Sequence, residues 1–196
     1  MDHRLESAVA ALYDAASGVS TWPEAMRTLA TALSAWSAHL CGIDRGTGAI
    51  VFGHEGGRAG PDFWSAYLRD HRRTDPRTGP ILALGPDDWF DDHEALGEAA
   101  IAAHPFYRDF MLPNGGGRTL ATRIDDDDAS IAILLCVTRA AGEPRFDASE
   151  RAALERIRIH LRHAQRLRAR LRRRGGPLQR IGAALLDHFE RPTLLL

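Results

Sequence analysis

The chain has 196 residues, 44% of them hydrophobic and 26% charged, and a formal net charge of −1. This composition excludes a disordered or collagen-like chain and is typical of a soluble globular protein with one domain and an appendage. Every basic residue other than histidine is arginine, which excludes catalysis through a lysine Schiff base and lysine-dependent phosphate loops.

Two amphipathic helices are predicted at the N-terminus. Apolar residues recur every three or four positions over residues 5–16, and Gly18 ends that pattern. A second stripe covers residues 22–36, and Glu24 lies three residues after Thr21, as in a capping box. These neighbouring helices predict a helical hairpin.

The middle of the chain combines strand and helix patterns. Two β-rich runs, at 38–44 and 49–53, flank a glycine-containing turn and predict an antiparallel hairpin. Helical spacing follows at residues 62–70, 94–103 and 106–111, with a loop predicted at 80–88.

The C-terminal part carries the clearest strand and the longest helix. Runs at 118–124 and 129–138 predict a second strand pair across an acidic turn, and the continuous apolar character of 131–137 predicts a central strand. A capping box at Asp147 and Glu150 begins a helix predicted to reach residue 174. A last helix is predicted at 178–189.

Charge divides the chain unevenly. Residues 1–146 hold 13 Arg against 21 Asp and Glu, whereas residues 147–196 hold 12 Arg against 5 acidic residues. We therefore predict three parts: a domain at 1–146, an arginine-rich helix at 147–174 that links or dimerises, and a further helix with the start of a following, absent domain at 175–196.

No pattern for catalysis, metal binding or a cofactor emerges. The acidic run 125–128 is typical of a solvated turn, Asp91 or Asp92 suits a helix cap, and His160 and His163 lie among arginines that would repel a metal ion. Cys41 and Cys136 lie in apolar runs and are too few for a disulfide framework or a four-thiolate zinc site. We expect free thiols, a cytoplasmic location, and neither a signal peptide nor a membrane span.

The arginine-rich helix has two interpretations. Arginine neutralises phosphates and so suits nucleic acid, but an apolar stripe along the helix favours packing against a partner. We predict a two-fold dimer through that stripe. The predicted interface consists of Leu154, Ile157, Leu161, Ala164, Leu167 and Leu171.

A set of aromatic and polar residues suits a pocket for a small molecule. Aromatic side chains with a few polar groups line such pockets, and arginine would select an anionic group, although the same aromatics could equally fill the core. The candidate ligand-binding residues are Trp64, Tyr67, Asp75, Arg77, Trp89, Phe106, Tyr107 and Arg123.

The order and spacing of several fragments resemble the N-terminal region of bacterial LuxR-family transcriptional regulators. The fragments are residues 12–16, 22–25, Tyr67, 75–77, 89–94, 106–113, 146–155 and 160–162. The resemblance implies a GAF- or PAS-like sensor, with a helix-turn-helix that binds DNA beyond this chain. It supplies no ligand and no catalytic residue, and residues 193–196 resemble the first strand of a following PAS-like unit.

Taken together, the residues and the resemblance predict an α+β domain with an antiparallel sheet, flanking helices and a long C-terminal helix. The expected function is signal input and dimerisation for a LuxR-type regulator. A small enzyme and a purely structural dimerisation module remain the alternatives. An enzyme would need a titratable residue in a cleft whose pKa is shifted, and a structural module would bind no metabolite.

Overall fold

Five antiparallel strands and seven α-helices make up the computed structural model within residues 3–124 and 130–174, the part that the structure describes. The strands are β1 (Ser37–Asp44), β2 (Ile50–Gly57), β3 (Trp89–Asp91), β4 (Gly116–Arg123) and β5 (Ile131–Ala140). The helices are α1 (His3–Ser17), α2 (Trp22–Ala32), α3 (Pro61–Ala66), α4 (Thr78–Leu82), α5 (Asp92–Leu96), α6 (Glu98–Ala103) and α7 (Ala148–Arg174). The predicted acidic turn, the helix at 178–189 and the following domain lie outside the described residues.

Side-chain caps fix where the helices begin. Ahead of α2, the Thr21 amide donates to Glu24 Oε2 at 2.9 Å and the Glu24 amide donates to Thr21 Oγ1. Before α7, Asp147 and Glu150 exchange the same pair of bonds, both at 2.8 Å. These hydrogen bonds confirm both predicted capping boxes. Each box provides partners for backbone amides that have none inside the helix.

The strand order is β2-β1-β5-β4-β3, so the apolar strand β5 is central, as predicted. The expected α+β class and antiparallel sheet are confirmed. β3 was not predicted, because its three residues are too few to show alternation. It pairs with β4 through Trp89, Phe90 and Asp91.

One face of the sheet packs against α1, α2 and α7 and forms the main core. In α7, Leu154, Ile157, Leu161 and Ala164 have no exposed surface within the single chain. These side chains are covered by the chain's own core, in which α7 packs along α1, and their role in a dimer interface stays a prediction. Along the same stripe, Leu167 packs partly against the core and Leu171 is exposed.

The opposite face of the sheet is covered by residues 58–82 and by an aromatic cluster. This cluster consists of Trp36, Phe63, Phe106, Tyr107 and Phe110. The predicted helix at 62–70 is instead the short α3 followed by a π-helical turn, Tyr67–His71, and the predicted helix at 106–111 is also π-helical. α4 begins at Thr78, two residues before the predicted 80–88 loop, and ends within it at Leu82. The two π turns contact each other, since the His71 ring stacks on Phe110 with 4.0 Å between ring centroids.

β2 passes so close to α2 that it tolerates no side chain at Gly56. A Cβ at this position would lie 2.0 Å from the Arg27 amide nitrogen. We expect Gly56→Ala to lower the free energy of unfolding by about 1–3 kcal/mol, because backbone must move to make room. Chemical denaturation measures this change. Gly79→Ala is the control, since a Cβ there meets open space, and equal losses in the two variants would contradict the prediction.

Candidate ligand-binding cavity

A cavity of about 100 Å³ lies between the sheet and the segment formed by residues 58–82. Four of the predicted ligand-binding residues, Trp64, Tyr67, Asp75 and Arg77, line it. They come from α3, the first π turn and the loop before α4. Asp75 and Arg77, which lie near Trp64 and Tyr67 in the sequence, therefore also lie near them in space.

A closed network of hydrogen bonds joins the polar residues of the cavity wall. Arg77 donates from Nε and Nη2 to the two carboxylate oxygens of Asp75, each at 2.8 Å, and from Nη1 to Thr119 Oγ1 at 2.8 Å. The Tyr67 hydroxyl donates to Asp75 Oδ2 at 3.0 Å, and Thr119 contacts Thr138. This bidentate pair neutralises the charge of Arg77 inside the protein.

Burial and pairing act in opposite directions on this network. Burial alone would raise the pKa of Asp75, but the charge and hydrogen bonds of Arg77 hold that pKa below its ordinary value. Burial by itself would lower the pKa of Arg77. The charge and hydrogen bonds of Asp75 outweigh burial, so the pKa of Arg77 lies above its ordinary value. Burial and Asp75 together raise the pKa of Tyr67. The carboxylate is therefore ionised and the phenol neutral near pH 7.

The other four predicted ligand-binding residues do not line the cavity. Trp89 packs beside the main core and donates from Nε1 to Glu155. Phe106 and Tyr107 lie in the aromatic cluster behind the cavity wall, where the Arg77 guanidinium lies 4.7 Å from the Phe106 ring. The Arg123 guanidinium donates to the Leu84 carbonyl.

Sequence reasoning missed the floor of the cavity, which the sheet supplies. His39, Cys41, Cys136 and Thr138 line it from β1 and β5. Because side chains alternate between the two faces of a strand, these residues lie on the face opposite the main core. The two-residue alternation in the sequence is the signal that could have identified them. Their pairing across β1 and β5 could not be inferred without the register, which sets His39 opposite Cys136.

The titratable groups of the floor are uncharged near neutral pH. Burial lowers the pKa of His39 to about 3 and raises the pKa of Cys136 to about 11. Burial also raises the pKa of the Cys41 thiol. The floor is therefore a neutral surface, and its thiols are weak nucleophiles.

Arg72 lies at the rim of the cavity. Its Nη2 donates to the Gly48 carbonyl in the turn between β1 and β2, and both residues line the cavity. This bond joins the covering segment to the sheet at that point. Within residues 3–124 and 130–174, Arg72 has no carboxylate partner, in contrast to Arg77.

Glu55 lies opposite His39 on the sheet and is partly buried. Burial raises the pKa of its carboxyl group to about 8. A raised folded-state pKa stabilises the fold at low pH, and this contribution is lost as pH rises from the unfolded value of about 4.3 through the folded value. We expect Glu55→Gln to reduce the fall in melting temperature between pH 5 and about 9. Exposed Glu6→Gln is the control, and an unchanged pH profile in Glu55→Gln would contradict this expectation.

Ion pairs fasten α7 to the segment around β3. Arg151 Nη2 lies 2.7 Å from Asp91 Oδ2 and 3.0 Å from Glu94 Oε1. Arg162 and Arg158 both pair with Asp87. Asp91 also accepts bonds from two amides of α5, which confirms the expected helix cap. Part of the arginine face of α7 is therefore paired within the chain.

Among the described residues, no three His, Cys, Asp or Glu side chains come together in a way that could hold a metal ion. Within the same residues, no helix is long and apolar enough to cross a bilayer.

Comparison with known proteins identifies a fold. No family model matches the chain, and neither does any curated protein. Among solved structures, the chain is similar to the N-acylhomoserine lactone dependent LuxR family transcription factor CepR2 from Burkholderia cenocepacia. The two share 17% sequence identity with a TM-score of 0.56, over 85% of this chain and 98% of that chain. The likeness shows that this chain has the fold of that regulator.

Proposed function

We propose that the chain is the signal-input region of a LuxR-type transcriptional regulator. A small molecule would bind in the cavity, and α7 would transmit the change to a DNA-binding domain outside this chain. The observation that carries the proposal is the cavity itself, lined by aromatic and paired polar residues between the sheet and its covering segment. Likeness in fold to a regulator described as dependent on an N-acylhomoserine lactone supports it.

A chain of polar contacts leads from the cavity to α7. Arg77 donates to Thr119 Oγ1, and the Thr119 amide donates to Asp92 Oδ1 at 3.0 Å. Asp92 follows Asp91, which pairs with Arg151 of α7. A ligand that shifted Arg77 would therefore act on the attachment of α7, provided that it binds two arrangements of the helix with different affinity.

The remaining parts of the proposal concern assembly and location. The sensor would be GAF- or PAS-like, with α7 linking it to a following domain, in a cytoplasmic homodimer. A dimer through α7 would use its outward face, because the predicted stripe is covered from Leu154 to Ala164. Ile159 and Leu171 are large hydrophobic residues exposed on α7.

A thermal-shift screen with a metabolite library tests ligand binding. A compound at 100 times its dissociation constant stabilises the folded state by about 2.7 kcal/mol, so we expect at least one compound, N-acylhomoserine lactones included, to raise the melting temperature. Cys136→Phe should abolish that rise by filling the cavity, whereas Cys136→Val should keep it. A library without effect would favour a structural module instead, and a rise that survives in Cys136→Phe would contradict the proposal by showing that the compound binds outside this cavity.

A further inference from the structure

We propose that the cavity takes a small organic carboxylate, with its apolar part inside and its carboxylate held at the rim by Arg72. The inference rests on the proposed function, because it names the class of molecule that the same cavity would bind. The sequence suggested that an arginine of the candidate set, such as Arg77, would bind an anionic group. The proposal assigns this role to Arg72 instead.

The two arginines of the cavity differ in what they can still bind. Arg77 directs all three of its guanidinium nitrogens at Asp75 and Thr119, so its charge is neutralised and two of its five N–H donors remain. Arg72 donates to one neutral carbonyl, that of Gly48. A guanidinium has five N–H donors, which leaves Arg72 enough for a two-point bond to a carboxylate.

The summed charge of the lining points the same way. Asp75 cancels Arg77, and the low pKa of His39 leaves that ring neutral at pH 7. Arg72 therefore gives the described cavity lining a net charge of about +1. A cationic ligand would meet repulsion, and a neutral ligand would leave the guanidinium with its single protein partner.

The interior sets the size and polarity of the rest of the ligand. Ile43, Ile50, Ile81, Leu82 and Leu134 line the cavity and pack in one apolar cluster. An apolar cavity of about 150 Å³ holds benzene, which has six non-hydrogen atoms, so about 100 Å³ fits in proportion an apolar group of roughly four. A branched short-chain acid meets this limit when its carboxylate stays at the rim, and a monocyclic aromatic acid tests an apolar group two atoms larger.

Calorimetric titration with benzoate and isovalerate tests the inference, and their uncharged amides, benzamide and isovaleramide, are the matched controls. We expect at least one acid to bind with a stoichiometry of one per chain and at least tenfold more tightly than its amide. Arg72→Gln should weaken binding of that acid tenfold or more, because it removes a charge-assisted pair. Arg73→Gln, which changes the exposed neighbour, should alter it less than twofold.

Four outcomes would overturn the inference. These are amides that bind as tightly as the acids, an Arg72→Gln variant that keeps full affinity, equal losses in the two arginine variants, and no binding of either acid. Circular dichroism confirms that each variant is folded. The metabolite screen decides the proposed function separately, because a different compound that stabilises the protein and loses its effect in Cys136→Phe would preserve the sensor while excluding carboxylates.

Discussion

Replacing Arg77 with methionine is expected to lower the free energy of unfolding by about 3–5 kcal/mol. The substitution leaves the Asp75 carboxylate buried with Tyr67 and one backbone amide as its remaining partners. A buried charge without its counter-ion costs far more than the net contribution of an intact pair. Chemical denaturation at neutral pH, followed by circular dichroism, measures the loss.

The double variant Asp75→Asn/Arg77→Met is the matched control. It removes both charges, so we expect it to recover a large part of the stability lost in the single variant. A double variant less stable than Arg77→Met would show that Arg77 contributes mainly through Thr119 and the aromatic rings. Measured across pH, the comparison separates charge from packing.

The sign of the pH dependence follows from Asp75. In the unsubstituted protein its lowered pKa stabilises the fold above the unfolded value of about 3.9, and this contribution is lost as pH falls. Without the Arg77 guanidinium, burial is the largest influence on the carboxyl and raises its pKa against the two remaining hydrogen bonds, which destabilises the fold most at neutral pH. The stability difference between the two proteins should therefore shrink towards acid pH.

Ile157→Ala in α7 is expected to lower the free energy of unfolding by about 2–5 kcal/mol. Ile157 has no exposed surface in the single chain and lies in one core with α1 and α2. Its loss should be the same at low and high protein concentration, because the residue stabilises the monomer. Denaturation at two concentrations a hundredfold apart checks both statements.

Ile159→Ala controls for helix propensity and side-chain type two residues further along. Ile159 is 44% exposed, so we expect a loss below about 1 kcal/mol for a monomer. A loss of unfolding free energy in Ile157→Ala that grew with protein concentration would support the dimer interface predicted along the apolar stripe of α7. A concentration-dependent loss confined to Ile159 would instead support a dimer through the outer face of α7.

The features predicted well from sequence are those with a local cause. Capping boxes at Thr21 and Asp147, and the continuous apolar run of β5, identify helix starts and the central strand because neighbouring residues determine them. β3 was missed since its three residues are stabilised by pairing with β4. The π turns were missed because residues there keep a helical spacing.

The candidate site was predictable only where it is contiguous in sequence. Trp64, Tyr67, Asp75 and Arg77 were found because they follow one another along one segment, whereas His39 and Cys136 required the register of β1 and β5. The stripe of α7 shows the same limit. Its spacing predicts a buried face, but only the tertiary structure shows that the face is covered within the same chain.

The pairing of the first helix with the last affects how the chain is made. α1 packs along α7, and the Tyr13 hydroxyl lies 3.2 Å from His160 Nδ1, 147 positions later in the sequence. During synthesis the part of α1 that contacts α7 therefore leaves the ribosome long before α7 exists, although α2 follows at once. Contacts of such separation slow folding, so this part of α1 stays exposed to aggregation until α7 has emerged.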